Sequence, residues 1–150
     1  MGYGFSLKCP KCHCSYTFAL GVGMMFPTEY KKVVRKIKLG KYGAEWRKFF
    51  KENESAAVDA EECLYVCSHC NAIKAEPNLS LYITVDGSKA DEYVPLWCNY
   101  DGKYKFVRSF VHKCTKCGKR MKKVEDPAYD SYICPKCGEM LTKSDFLKWD

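Results

Sequence analysis

The 150-residue sequence contains only three histidines, and none sits in an H-E-x-x-H or H-x-E pattern, which removes the zincin and zinc-deaminase classes. A Walker-type glycine loop, a G-x-S-x-G elbow and a paired-carboxylate motif are also missing. The chain therefore reads as non-catalytic. No apolar run approaches the ~18 residues a membrane-spanning helix needs. The opening "MGYGFSLK" lacks a basic region followed by an apolar core, so no signal peptide is predicted. Gly2 and Ser6 satisfy the short myristoylation pattern, but the segment reads better as the start of a first strand. The expected location is the cytoplasm, with no membrane association.

What the sequence does contain is cysteine. Eleven are present, an odd number that cannot pair completely as disulfides within one chain. In a reducing compartment, clustered cysteines more often bind metal. A chain of this length supports one ordinary domain or two small units that need staples. The formal charge of +7 suggests an anionic partner. Eight thiolates remove eight of those charges and two divalent ions return four, so the loaded chain carries about +3. The distribution of charge then matters more than its total.

Eight cysteines fall into four C-x-x-C pairs: Cys9/Cys12, Cys67/Cys70, Cys114/Cys117 and Cys134/Cys137. Two intervening residues let the backbone turn tightly and aim both sulfurs at one ion. The following residue often takes a positive φ, which glycine adopts freely, and Gly118 and Gly138 occupy that place in the last two pairs. His13 and Asn71 occupy it in the first two, and both residue types are enriched at positive φ. All four pairs are predicted to form the same turn.

The last two pairs have the spacing C-x2-C-x16-C-x2-C, which suits a four-cysteine zinc site. A strand, a turn at Asp126-Pro127 and a returning strand at Tyr132–Ile133 would bring them face to face. "CTKCGKR…YICPKCGEML" resembles the zinc-ribbon and rubredoxin-type knuckle proteins, and the resemblance covers residues 112–142. Positions 1–20 and 62–85 look like two halves of a second ribbon split by an insertion. The whole layout resembles uncharacterised bacterial CPxCG double-ribbon proteins, which bring no assigned activity. Cys9, Cys12, Cys67 and Cys70 are thus expected to share one metal, and Cys114, Cys117, Cys134 and Cys137 the other. Two Zn2+ are the expected ions, and iron fits the same spacing.

The insertion is expected to fold as a helical hairpin over about 27–53, packed on the ribbon strands. Tyr30, Val33, Val34 and Ile37 form a helical stripe bounded by Pro27 and Gly40, and Trp46, Phe49 and Phe50 mark a second helix. The predicted fold is α+β: a split ribbon over 1–95 carrying that hairpin, then a C-terminal ribbon over 96–150. "LSLYITVDG" reads as a strand of the first ribbon, while 104–111 fits either a strand or a helix.

"CPKCHC" at 9–14 also matches the haem-attachment pattern C-x-x-C-H, but that would leave Cys67/Cys70 unexplained. A local site from Cys9, Cys12, His13 and Cys14 is sterically awkward, because adjacent residues rarely face one tetrahedral ion. Cys14, Cys63 and Cys98 remain as small buried hydrophobes, reactive thiols or substitute ligands. His69 and His112 read as exposed or supporting groups. Lys31, Lys32, Arg35 and Lys36, with Lys119, Arg120, Lys122 and Lys123, are the candidate nucleic-acid contacts, alongside Tyr100 and Tyr104. The expected function is a non-catalytic adaptor for an unidentified protein or nucleic acid, with a rubredoxin-like electron carrier as the alternative. Oligomeric state is not encoded in any of these features.

Overall fold

The computed structural model describes residues 2–96, 99 and 101–149, with the backbone alone at 145. Cys98 and Tyr100, read from the sequence as a spare thiol and a nucleic-acid contact, lie outside the described residues, as does Trp97. The architecture is α+β, with two helices and two β-sheets. Strands β1 (Gly2–Lys8), β2 (Ser15–Gly21), β4 (Glu62–Val66), β5 (Ile73–Pro77), β8 (Lys122–Lys123) and β9 (Thr142–Trp149) form one sheet. Its order is β5-β4-β2-β1-β9, with β8 also paired to β4. Strands β3 (Ala56–Val58), β6 (Leu81–Thr84) and β7 (Tyr104–Arg108) form the other, in the order β3-β6-β7.

Contacts divide the chain into two interleaved units, and this boundary differs from a cut at residue 95. One unit takes the residues up to Gly23, Glu62–Glu76 and those from Val111 onward. The other takes Met24–Glu61 and Pro77–Phe110. All eight paired cysteines belong to the first unit. The reason is strand pairing: β1 bonds to β9 along nearly its whole length, from Gly2↔Trp149 to Lys8↔Thr142. Residues at opposite ends of the sequence therefore share one sheet.

Within the cysteine-bearing unit the chain repeats itself. Ahead of Cys9, Leu7 and Lys8 pair with Lys143 and Thr142; ahead of Cys67, Tyr65 and Val66 pair with Lys123 and Lys122. Counted from the neighbouring cysteines, these are the same positions in the same register. Side-chain alternation on β4 serves both halves. Leu64 faces a core of Phe5, Leu7, Phe18, Leu20, Tyr132 and Leu141, whereas Cys63 and Tyr65 face a smaller one with Ala72 and Met121.

The second unit holds the helical hairpin as predicted in type: α1 spans Phe26–Lys38 and α2 Ala44–Glu52. Tyr30, Val33 and Ile37 are buried with Phe26, and Pro27 lies in the first turn, where its missing N–H costs nothing. The hairpin belongs to the unit of the three-stranded sheet, where α2 packs on β3. Trp46 of α2 is buried and its indole N–H donates to the Leu79 carbonyl oxygen at 2.8 Å, beside the three-stranded sheet. Phe110 closes edge-on against Trp46, at 5.1 Å between centroids. "LSLYITVDG" accordingly supplies β6 of this sheet, and 104–108 is the strand β7 paired to it.

Trp149 lies across Gly2 and Gly4, and a Cβ at Gly2 would collide with its indole nitrogen. This close approach explains the two glycines of "GYG". Gly2→Ala is expected to lower stability by about 1 kcal/mol, while in a Trp149→Ala background the same change is close to neutral. Urea denaturation of the four proteins in that cycle measures the coupling.

Candidate metal centres

The four C-x-x-C turns are superimposable in their hydrogen bonding. The amide of each first cysteine donates to the carbonyl five residues on: Cys9 to Cys14, Cys67 to Ala72, Cys114 to Lys119 and Cys134 to Glu139, at 2.7–2.9 Å. The residue after each second cysteine returns its amide to the first cysteine's carbonyl, at 2.8–3.0 Å. That residue has positive φ in every case: 61° at His13 and Asn71, 73° at Gly118 and 79° at Gly138. His13 and Asn71 thus hold a backbone position, not a ligand position.

The sulfurs gather as two tetrads, Cys9/Cys12/Cys134/Cys137 and Cys67/Cys70/Cys114/Cys117, with all four ligand atoms in each within 4.8 Å of one another. This corrects the expected pairing. The two C-terminal turns do not face each other, and Cys9/Cys12 do not meet Cys67/Cys70. Cys9 Sγ lies 3.3 Å from Cys137 Sγ and Cys12 Sγ lies 3.5 Å from Cys134 Sγ. In the second tetrad Cys67 meets Cys117, and Cys70 meets Cys114, at 3.5 Å. Each tetrad joins a longer hairpin, β1/β2 or β4/β5, to a short one held by the bridge Ile133↔Met140 or Lys113↔Arg120. Local spacing was misleading because β8 leaves its turn to pair with β4, and β9 leaves its turn to pair with β1.

The donor set fits a tetrahedral thiophilic ion. Metal–sulfur bonds of about 2.3 Å place sulfurs about 3.8 Å apart, so a small outward shift of the observed positions admits zinc or iron. Electrostatics divides each turn into two kinds of thiol. The Cys12 amide lowers the Cys9 thiol and the Cys70 amide lowers Cys67, outweighing burial. The Cys117 amide brings Cys114 to about 6. Burial opposes ionisation most strongly at Cys134, yet the amides of Cys137 and Lys136 still bring it to about 6. The second cysteines go the other way. Amides at Ala72 and Glu139 favour their ionisation, but burial and neighbouring sulfurs override them, raising Cys70 to about 11 and Cys137 upward. Cys117 and Cys12 are raised on the same balance, Cys12 with an added contribution from the Cys14 sulfur.

Around the second tetrad, His112 is buried and its Nδ1 contacts the Glu76 carboxylate. Lys74 bridges Glu76 at 3.2 Å and the Lys113 carbonyl at 2.8 Å, so β5 is clamped to the approach of the third turn. Burial pushes the Glu76 carboxyl up, but the hydrogen bond from His112 and the Lys74 ammonium hold it below the usual range. His112 stands where Tyr132 stands in the other half, two residues before the first cysteine of its turn. This correspondence was the one signal in the sequence that pointed to its supporting role. His69 is exposed and Cys63 is buried in the smaller core.

The candidate polyanion contacts do not converge in one unit. Lys31, Lys32, Arg35 and Lys36 are exposed on α1, where Lys31 pairs with Glu92 and Lys32 with Glu29. Lys119, Arg120, Lys122 and Lys123 are exposed in the cysteine-bearing unit, with no ion pair among the described residues. Tyr104 is not a surface aromatic: it is buried and its hydroxyl donates to Asp91 at 3.1 Å. No helix among the described residues is long and apolar enough to cross a membrane.

Compared with known protein families, curated proteins and solved structures, the chain gives no significant match.

The tetrads predict a specific pattern of metal loss. Cys12→Ser combined with Cys134→Ser should remove one metal equivalent, because both residues serve one site. Cys12→Ser combined with Cys67→Ser should remove both. Elemental analysis of the two purified variants distinguishes this arrangement from sequential pairing, which gives the reverse.

Proposed function

We propose that the chain is a non-catalytic, zinc-stapled interaction module with two zinc-ribbon-like centres, working in a reducing cytoplasm and presenting its surfaces to a protein or nucleic-acid partner. The observation that carries this reading is the closed four-sulfur donor set at each centre. Four thiolates complete a tetrahedral sphere, whereas a hydrolytic zinc keeps a position for water. The same tetrads tie together hairpins 44 and 122 positions apart, which is the work of a structural ion.

Two observations favour nucleic acid as one partner class. The segment Phe26–Glu52 carries nine lysines and arginines against three glutamates, and the six cations from Lys113 to Lys123 are also exposed. Surface ion pairs such as Lys32–Glu29 contribute little, so these cations stay available to phosphate. Retention on heparin at low salt, lost steeply as salt rises, supports this partner class; absence of retention at low salt leaves a protein partner. Electron transfer by bound iron is the competing reading, since amides aimed at sulfur also suit iron, as at Cys12 N to Cys9 Sγ, 3.4 Å. Purified protein that is colourless and carries zinc supports the module; a red, iron-loaded protein supports the carrier.

Loading the metal-free protein at pH 7 should release about two or more protons per ion, because the raised thiols Cys12, Cys70, Cys117 and Cys137 must ionise. Acid therefore opposes binding, and affinity falls as pH falls. Titration of zinc into weakly buffered protein with a pH indicator measures the release. Chelation should also unfold the cysteine-bearing unit, read by loss of chemical-shift dispersion for its residues.

A further inference from the structure

Cys14 is a thiol that neither tetrad uses and whose turn asks only for its backbone. Its carbonyl accepts the Cys9 amide, but Ala72, Lys119 and Glu139 do the same in the other three turns. Those residues have no side-chain feature in common, so the position asks only for a backbone carbonyl. The Cys14 sulfur nevertheless lies 3.2 Å from Cys12 Sγ, at least as near as the tetrad sulfurs lie to one another. Cys14 is half-buried, and Cys12 is the exposed cysteine among the described residues. The second tetrad differs here: Ala72 takes the Cys14 position, and the spare Cys63 is buried.

We propose that Cys12 and Cys14 form an oxidation site for hydroperoxides, whose disulfide withdraws Cys12 from its tetrad and frees that metal alone. The proposal rests on the metal-bound state of the tetrads. Cys14 is the attacking sulfur, since no metal occupies its electron pair. Its thiolate displaces an alkoxide or hydroxide from the peroxide, breaking the O–O bond and leaving a sulfenic acid. Cys12 then attacks the sulfenic sulfur, the S–O bond breaks, and hydroxide departs as water once protonated. Two electrons pass from the two sulfurs to the peroxide, and the metal leaves without changing oxidation state. Three sulfurs remain at the first tetrad, too few to close the sphere. A disulfide across one intervening residue is strained and therefore readily reduced, so the step is reversible.

The test uses zinc-loaded full-length protein, limiting hydrogen peroxide and a chromogenic zinc chelator, with disulfides mapped by peptide mass. Zinc is quantified before oxidant; a content short of two equivalents counts against the metal reading, while the Cys12–Cys14 linkage is read by mass in either case. The expected result is release of about one equivalent together with that linkage, both reversed by dithiothreitol and fresh zinc. Cys14→Ala copies the residue at position 72 and should fold and load normally, yet release zinc at least about tenfold more slowly. Release from Cys14→Ala at the wild-type rate, simultaneous loss of both equivalents, or a linkage mapped to Cys9–Cys12 overturns the proposal.

Discussion

Closure of four sulfurs around one point constrains nearly everything else in the cysteine-bearing unit. Each C-x-x-C turn can present two sulfurs only because a positive-φ residue lets the backbone amides fold back toward them. Two turns must then meet, and their flanking strands must already run side by side. The tetrads and the sheet are therefore one structure. β1 with β9, and β4 with β8, deliver the turns, and the sulfurs fix the register that delivered them.

The local chemistry was legible in the sequence, because it depends on neighbours along the chain. The φ at His13 and Asn71 follows from their place after a second cysteine. The burial of Tyr30, Val33 and Ile37 follows from helical spacing. Which turn meets which was not legible. Loop-closure entropy favours the sequential pairing over the nested one by only about 2 kcal/mol, since the penalty grows with the logarithm of length. Six paired residues between β1 and β9 outweigh a term of that size, and nothing within residues 112–142 records that Thr142–Trp149 will bond to β1. The assignment of "LSLYITVDG" to a ribbon failed for the same reason: alternation identifies a strand but not its neighbour.

The two halves of the repeat also carry unequal resources. The first tetrad lies in the larger apolar core, with Phe5 near Tyr132. The second has Cys63 at the place corresponding to Phe5 and compensates with polar contacts, His112 on Glu76 and stacked on Tyr65 at 3.8 Å. One centre thus depends more on apolar packing, the other on a part-buried charge-assisted contact whose value rests on both partners being present.

The pairing of β1 with β9 has a consequence for how the molecule is made. Cys67, Cys70, Cys114 and Cys117 are all synthesised before Cys134, so one four-sulfur nest has its full ligand set before the other. Cys9 and Cys12, made earlier still, wait for Cys134 and Cys137. During that interval the β1/β2 hairpin has an open edge and half a ligand set, and the nascent chain is most exposed to wrong partners there.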